Sequence, residues 1–359
     1  MKRMLRVVIF MALITLVPIG TFFLLPAKVQ YQVTEKYTFS TEQTGQKVKL
    51  AVMLPKDNAY QDIENIEIEW DGDIARENYE EIEVVRFESE IDEHKEAILE
   101  YDVILTQGKI SWEANVRDQD TRPQKDIESN DVLLVTQAEE ICGHQSENVA
   151  YETFKFTAGY LSWPEGTRLG DSQSALTAYE SQIGVCGEFA NLMTALNRAC
   201  DNPTRSISGL SMPMFLPPML TQESAWMHPG GAHAWVEVFT QKHWTIADPS
   251  WASNVPFDRL WFGRSQGQYL SYGETSLHEQ IYAEMLAWGG ENGTIIGAMS
   301  APVKFVAASE AQDNTSITPI VSVKKVSDAR WITAEGLYVV ILIAFIVVEK
   351  RINKNVDNP

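Results

Sequence analysis

The chain has 359 residues, enough for about two domains at the usual ~100–200 residues each; 45% apolar and 22% charged content excludes a mostly disordered polypeptide. Its formal net charge is −20, although both ends are basic (Lys2, Arg3 and Arg6; Lys350, Arg351 and Lys354), so the body between them is more acidic still. Such a body argues against a nucleic-acid or anionic-lipid surface and suits neutral or cationic substrates.

The first element is apolar. VVIFMALITLVPIGTFFLLP, after Arg6, is long enough to cross a ~30 Å hydrocarbon core as a helix. Pro18 and Gly20 predict a kink, which membrane helices tolerate. A cleaved signal peptide is the rival reading, but the apolar stretch is long for one and no A-x-A site follows. Residues 1–27 are expected to be an N-terminal membrane anchor or, failing that, a signal peptide.

From 28 to 122 the chain reads as β structure. YQVTEKYTFS, QKVKLAVMLP, IENIEIEW, EIEVVRFES and AILEYDVIL alternate or are rich in β-branched residues, with turn residues at Pro55-Lys56-Asp57-Asn58 and Asp71-Gly72-Asp73. At least five short strands of this kind predict a β-sandwich, with interaction or spacing as its default role.

Composition shifts at Asp120-Thr121-Arg122-Pro123, where a domain of residues 123–300 is expected to begin. After Asp131, VLLVTQAEEICGHQ has apolar residues at helical spacing. A second helix, a long loop rich in Pro and Met (SMPMFLPPMLTQESAWMHPGG, placed to cover a cleft) and a hairpin follow. Residues 301–329 read as a juxtamembrane linker, polar from Ser309 to Thr318. Residues 330–349 read as a C-terminal transmembrane helix and 350–359 as a cytoplasmic tail: Trp331 and Tyr338 suit an interfacial belt, and the basic residues follow at once. With basic flanks inside, the acidic middle would face a periplasm or cell surface.

The three cysteines, Cys142, Cys186 and Cys200, are too few for a disulfide framework; one disulfide is possible and one cysteine is left over in any case. There is no CxxC and no Cys/His spacing that suits zinc, so no metal or cofactor is expected. Cys142 and Cys200 fit the common fate of small buried hydrophobes. Cys186 does not. In GVCGEFANLMTALNRAC, apolar residues at Phe189, Leu192, Met193, Leu196 and Ala199 mark one face of a helix that opens at Cys186. Unsatisfied N–H groups and the helix dipole there favour an anion, as a nucleophilic thiolate requires.

AHAWVEVF and HWTIADPSW read as a hairpin. A two-residue turn at Thr240-Gln241 would put His233 opposite Asp248 on one face, with Cβ atoms roughly 4.5–5.5 Å apart. A carboxylate so placed can orient an imidazole through one ring N–H while the other nitrogen faces a nucleophile.

These three stretches, in the order cysteine, histidine, aspartate, resemble the transglutaminase-like superfamily across roughly residues 130–260. The resemblance implies an α+β fold: a papain-like core with the nucleophile opening a helix against an antiparallel sheet, here preceded by the β-sandwich and flanked by the two terminal transmembrane helices. It implies Cys186 as nucleophile, His233 as base, Asp248 as its orienter, and a protein or peptide substrate undergoing acyl transfer on amide bonds, with water or an amine as acceptor. LPKDNAYQDIENIEI is also similar to the sandwich common in bacterial members. A different class, a non-catalytic membrane-anchored binding or assembly module on the same fold, also fits the acidic body and two anchors; an intact triad weighs against it.

Overall fold

Alternation accounts for the first half of the chain. In β1 (Ala27–Thr41), Val29, Tyr31, Val33, Tyr37 and Phe39 are buried while the residues that alternate with this row are not, the period-two pattern of a strand with one face in a core. Glu35 falls in the same inward row and is also buried. β2 (Gln46–Pro55), β3 (Gln61–Glu69), β4 (Asp73–Asn78), β5 (Ile82–Ile91) and β6 (His94–Lys109) follow. The computed structural model describes residues 27–42, 44–143, 148–164, 173–212, 231–253, 261–290, 294–296, 305–309, 315–328 and Ile341.

The second half opens with helices α1 (Val132–Cys142), α2 (Val149–Tyr160), α3 (Ala175–Ser181) and α4 (Cys186–Ala199). Strands β7 (Thr204–Ser211), β8 (Gly231–Thr240) and β9 (His243–Ala247) come next, then a short helix α5 (Pro249–Ala252). β10 (Arg264–Gln266), β11 (Tyr269–Glu274), α6 (Thr275–Gly289), β12 (Thr294–Ile296), β13 (Phe305–Ser309) and β14 (Thr315–Asp328) complete the order. The fold is mixed α and β, as expected.

Among the described residues three sheets result. One has the order β10-β6-β1-β14, with β3 also on β6; the second runs β12-β13-β2-β5-β4. Both sheets contribute to one core, in which Val29, Tyr31 and Val33 of β1 join Leu50, Val52, Val84 and Phe87 of β2 and β5. The third, β11-β7-β8-β9, belongs to the helical half. The halves are not separately packed: Leu210, Leu270, Tyr272, Ile281 and Met285 from β7, β11 and α6 lie in the same core as β1 and β2.

Residues 301–329, expected as a linker, include two strands that close the sandwich. β14 pairs antiparallel with β1 from Val29↔Asp328 to Thr41↔Thr315, and β13 pairs with β2. VSVKKV alternates, but a strand that pairs across nearly the whole chain leaves little local signal of its partner. The terminal segments expected to cross a membrane, and the Pro- and Met-rich loop expected over the cleft, lie outside the described residues, Ile341 apart. Among the described residues no helix is long and apolar enough to cross a membrane.

α4 is the hub of the helical half. Phe189, Leu192 and Leu196 pack against Leu134, Ala138, Ala175 and Ala178 of α1 and α3, while Ala190 and Met193 pack against Val236 and Val238 of β8. Each large side chain so buried contributes about 1.5–3 kcal/mol. Cys142 and Cys200 form a disulfide joining the end of α1 to the end of α4. They are therefore not the buried free thiols that their apolar neighbourhoods suggested.

Candidate active site

Cys186 is the first residue of α4, as the apolar periodicity predicted, and is partly exposed; it is the free cysteine of the chain. The turn before it is built tightly. Glu188, buried in the first turn, accepts from Val185 N at 3.0 Å and from Gln173 N at 2.8 Å. A carboxylate there also complements the positive end of the helix dipole. Gly184 is needed because a Cβ at that position would lie 2.6 Å from the Glu188 Cβ. Asn191, one turn further on, donates to Gln173 O and accepts from Ser206 of β7, fixing the helix against its sheet.

His233 lies on β8 and Asp248 just past β9, at the N-cap of α5. His233 Nε2 and Asp248 Oδ2 are 2.7 Å apart. The expected contact is thus present, but the route to it differs. The turn is Gln241-Lys242, both at positive φ (51° and 71°), and Thr240 pairs with His243. Every pair is shifted by two residues from the expected register, which preserves the face and moves His233 from opposite to diagonal. Ending the strand at Ala247 frees Asp248 to turn toward the histidine. The signal was hidden because neither Gln nor Lys is a usual occupant of such a turn.

The carboxylate collects more partners than the sequence indicated. Asp248 Oδ1 accepts from Ser250 Oγ at 2.6 Å and from Trp251 N at 3.1 Å, and Oδ2 also accepts from the Tyr269 hydroxyl at 2.8 Å. These bonds hold an acid only 1% exposed. The imidazole is walled by the rings of Trp235, Trp251 and Tyr269, each with its centroid 6.1 Å away. The roles of Ser250 and Trp251 follow from a cap motif that an Asp-Pro-Ser-Trp sequence makes legible; Tyr269 comes from a distant strand and carried no signal.

Burial alone would lower the pKa of His233. The Asp248 charge and hydrogen bond, with a hydrogen bond to Cys186, outweigh that and push it up to about 10. An imidazolium beside a sulfur at a helix N-terminus stabilises negative charge on that sulfur. The three residues singled out in the sequence thus meet in one place: Cys186 at the helix start, close enough to His233 to help raise its pKa, and Asp248 bonded to the ring. Trp163, 41% exposed, stands against Phe189 of α4, with its indole N–H bonded to Ser253 after α5. Among the described residues no group of three or more His, Cys, Asp or Glu side chains could hold a metal ion.

The site and sheet define a thiol, imidazole and carboxylate cluster on a mixed α/β core. Residues 128–249 match the model of the transglutaminase-like superfamily. That stretch runs from just before α1 to the start of α5 and contains all three residues. Among solved structures, the chain is similar to a candidate cysteine protease from Cytophaga hutchinsonii, at 14% identity and a TM-score of 0.51, covering 85% of this chain and 94% of that one. This likeness is one of fold and takes in the sandwich as well as the core. A candidate protease from Parabacteroides distasonis (10% identity, TM-score 0.27, 64% of this chain and 47% of that one) is more distant. So is red sea bream transglutaminase (10% identity, TM-score 0.23, 63% of this chain and 48% of that one). Comparison with curated proteins finds no match.

Proposed function

We propose that the protein is a thiol-dependent acyl-transfer enzyme acting on amide bonds of protein or peptide substrates, with Cys186 as nucleophile, His233 as acid and base, and Asp248 as the group that orients it. The observation that carries this reading is the 2.7 Å His233–Asp248 bond, on an imidazole that Cys186 helps to hold protonated. The Cys186 sulfur attacks the amide carbonyl carbon, forming a C–S bond, while the oxygen takes negative charge and the Cys186 backbone N–H donates to it. Collapse breaks the C–N bond, and the amine departs with the proton that His233 holds. In the second half, neutral His233 takes a proton from water or an amine as it attacks the thioester; the C–S bond breaks and the thiolate returns. Water makes the enzyme a protease or amidase; an amine makes it a transglutaminase.

The likeness in fold to a candidate cysteine protease favours hydrolysis over transamidation. Cys186→Ala removes the nucleophile without altering the helix, so amide cleavage or amine incorporation on a peptide library is expected to vanish. Undiminished turnover by Cys186→Ala would sink the proposal.

We further propose that the domain is held outside the cytoplasm by its two apolar ends. Two observations support this. The β1–β14 register sets Val29 beside Asp328, so the start of β1 and the end of β14 lie side by side. The Cys142–Cys200 disulfide suits an oxidising compartment. Cysteine accessibility to an impermeant maleimide in intact cells tests it: labelling of a cysteine placed at an exposed site such as Glu90 is expected, and its protection until lysis would refute it.

A further inference from the structure

The acid behind His233 is itself held by a residue outside the stretch that matches the superfamily. Tyr269, the first residue of β11, donates its hydroxyl to Asp248 Oδ2 at 2.8 Å, the same oxygen that bonds His233. Its ring lies nearly parallel to the imidazole, at 8°, and 4.9 Å from the Trp235 ring.

Gly209 makes room for this reach. The strand registers set Gly209 of β7 between Ser271 of β11 and His233 of β8. Tyr269 shares the face of Ser271 through the two-residue strand period. A Cβ at Gly209 would lie 2.6 Å from the Trp235 ring. With no side chain on β7 at that point, Tyr269 and Trp235 pack across it and the hydroxyl arrives at Asp248.

Among the described residues β11 is an edge strand of its sheet, and an edge leaves backbone groups without a ladder partner. The sandwich supplies one. The side-chain amide of Gln61, on β3, accepts from Ser271 N at 2.6 Å and donates to Ser271 O at 2.9 Å, taking the place of a neighbouring strand. Gln61 is 2% exposed. One residue on, the Tyr272 hydroxyl bonds that of Tyr101 at 2.7 Å and reaches Glu35. Just before β11, Gly267 O accepts from Tyr31 at 3.0 Å. The strand that bears Tyr269 is therefore tied to the sandwich before its start and along its length.

We propose that Tyr269 is a positioning residue for the His233–Asp248 pair, and that the β-sandwich holds it in place through β11. This rests on the reading of that pair as the base and its orienting acid. A module used only for spacing has no need to satisfy the backbone of one particular strand; this one satisfies the strand that touches Asp248.

The test is proton NMR of the full chain, following the hydrogen-bonded His233 ring proton, which is identified by its loss in His233→Ala. Tyr269→Phe keeps the ring and removes only the hydroxyl. It is expected to move that resonance and to slow alkylation of Cys186 by iodoacetamide roughly tenfold, the scale of one hydrogen bond to a charged group. Gln61→Ala should move the same resonance with a smaller, roughly threefold, loss of rate. Tyr60→Phe, which removes a hydroxyl bonded to Glu237 in the same apolar cluster, should leave it in place. A wild-type resonance in Tyr269→Phe would overturn the role of Tyr269; a wild-type resonance in Gln61→Ala would overturn that of the sandwich. The signal is read on folded protein, so lost stability does not imitate the shift. It reports the pair rather than turnover, so it decides this proposal even if Cys186 proves to have no acyl-transfer activity.

Discussion

Glu35 in the sandwich and Asp248 in the helical half are both buried carboxylates that collect hydroxyl hydrogen bonds, and they differ in one neighbour. Glu35 accepts from Tyr37 and Tyr101 at 2.7 Å and from Tyr272 at 3.4 Å. These partners are neutral, and burial pushes its carboxyl up against their opposing effect. Asp248 accepts from Tyr269, Ser250 and the Trp251 backbone, and also bonds an imidazole. The first arrangement ties strands together. The second places a proton carrier between an acid and a thiol. Two buried acids can thus be equally well bonded and still differ in whether a group that carries a proton sits beside them.

Breaking the second arrangement should have the largest effect. Asp248→Asn keeps the shape and removes the charge, and is expected to lower acyl-transfer turnover roughly 10³–10⁴-fold, the scale seen when the orienting acid of a triad is neutralised. It should also change the pH dependence of stability. His233 is raised from an ordinary value of about 6.5 to about 10. Its pairing therefore stabilises the fold fully below about 6.5 and is lost as pH rises through about 10. Thermal unfolding between pH 7 and 11 should show that loss in the wild type, and a flatter profile in Asp248→Asn. Equal slopes would separate the pair from stability.

Next in size is the disulfide. It closes a stretch of 58 residues that contains Cys186. Chain-entropy scaling assigns such a loop about 4 kcal/mol. Replacing Cys142 and Cys200 by serine should lower the unfolding free energy by up to that amount, while leaving Cys186 alkylation in the folded protein unchanged. A large change in alkylation would mean that the disulfide shapes the site as well as the fold.

The smallest effect is expected at Glu35, and it sharpens the contrast. A carboxyl raised by burial favours the fold at low pH and works against it as pH climbs above about 4.5. Glu35→Gln should therefore cost stability at pH 4 and cost less, or gain, at pH 7, by about 1 kcal/mol. Unfolding midpoints at the two pH values check the sign. A larger cost at pH 7 would mean that Glu35 is held as a carboxylate.

What the sequence disclosed follows the range of the interactions. The helix opening at Cys186 was visible because its apolar period is local, and the face shared by His233 and Asp248 because a two-residue shift preserves it. The strands of the sandwich alternate clearly. The register of the β8–β9 hairpin was not legible, since Gln241 and Lys242 adopt left-handed backbone without the usual Asn or Gly. β14 reads as a linker in the sequence because its partner β1 lies at the other end of the chain. The same reason hid the Cys142–Cys200 pairing, the Gln61 clamp and Tyr269, each of which acts across a long stretch of sequence. The signals at Cys186, His233 and Asp248 were local in sequence; those of the residues around them were not.

The most direct test of the central claim is the pH dependence of Cys186 alkylation. The intact disulfide leaves Cys186 as the one thiol that reports. Rapid labelling at pH 6 that collapses in His233→Ala is the predicted result, and would mean that sulfur and imidazole act as a pair. Labelling that appears only near the ordinary thiol pKa of about 8.5, with or without His233, would contradict it.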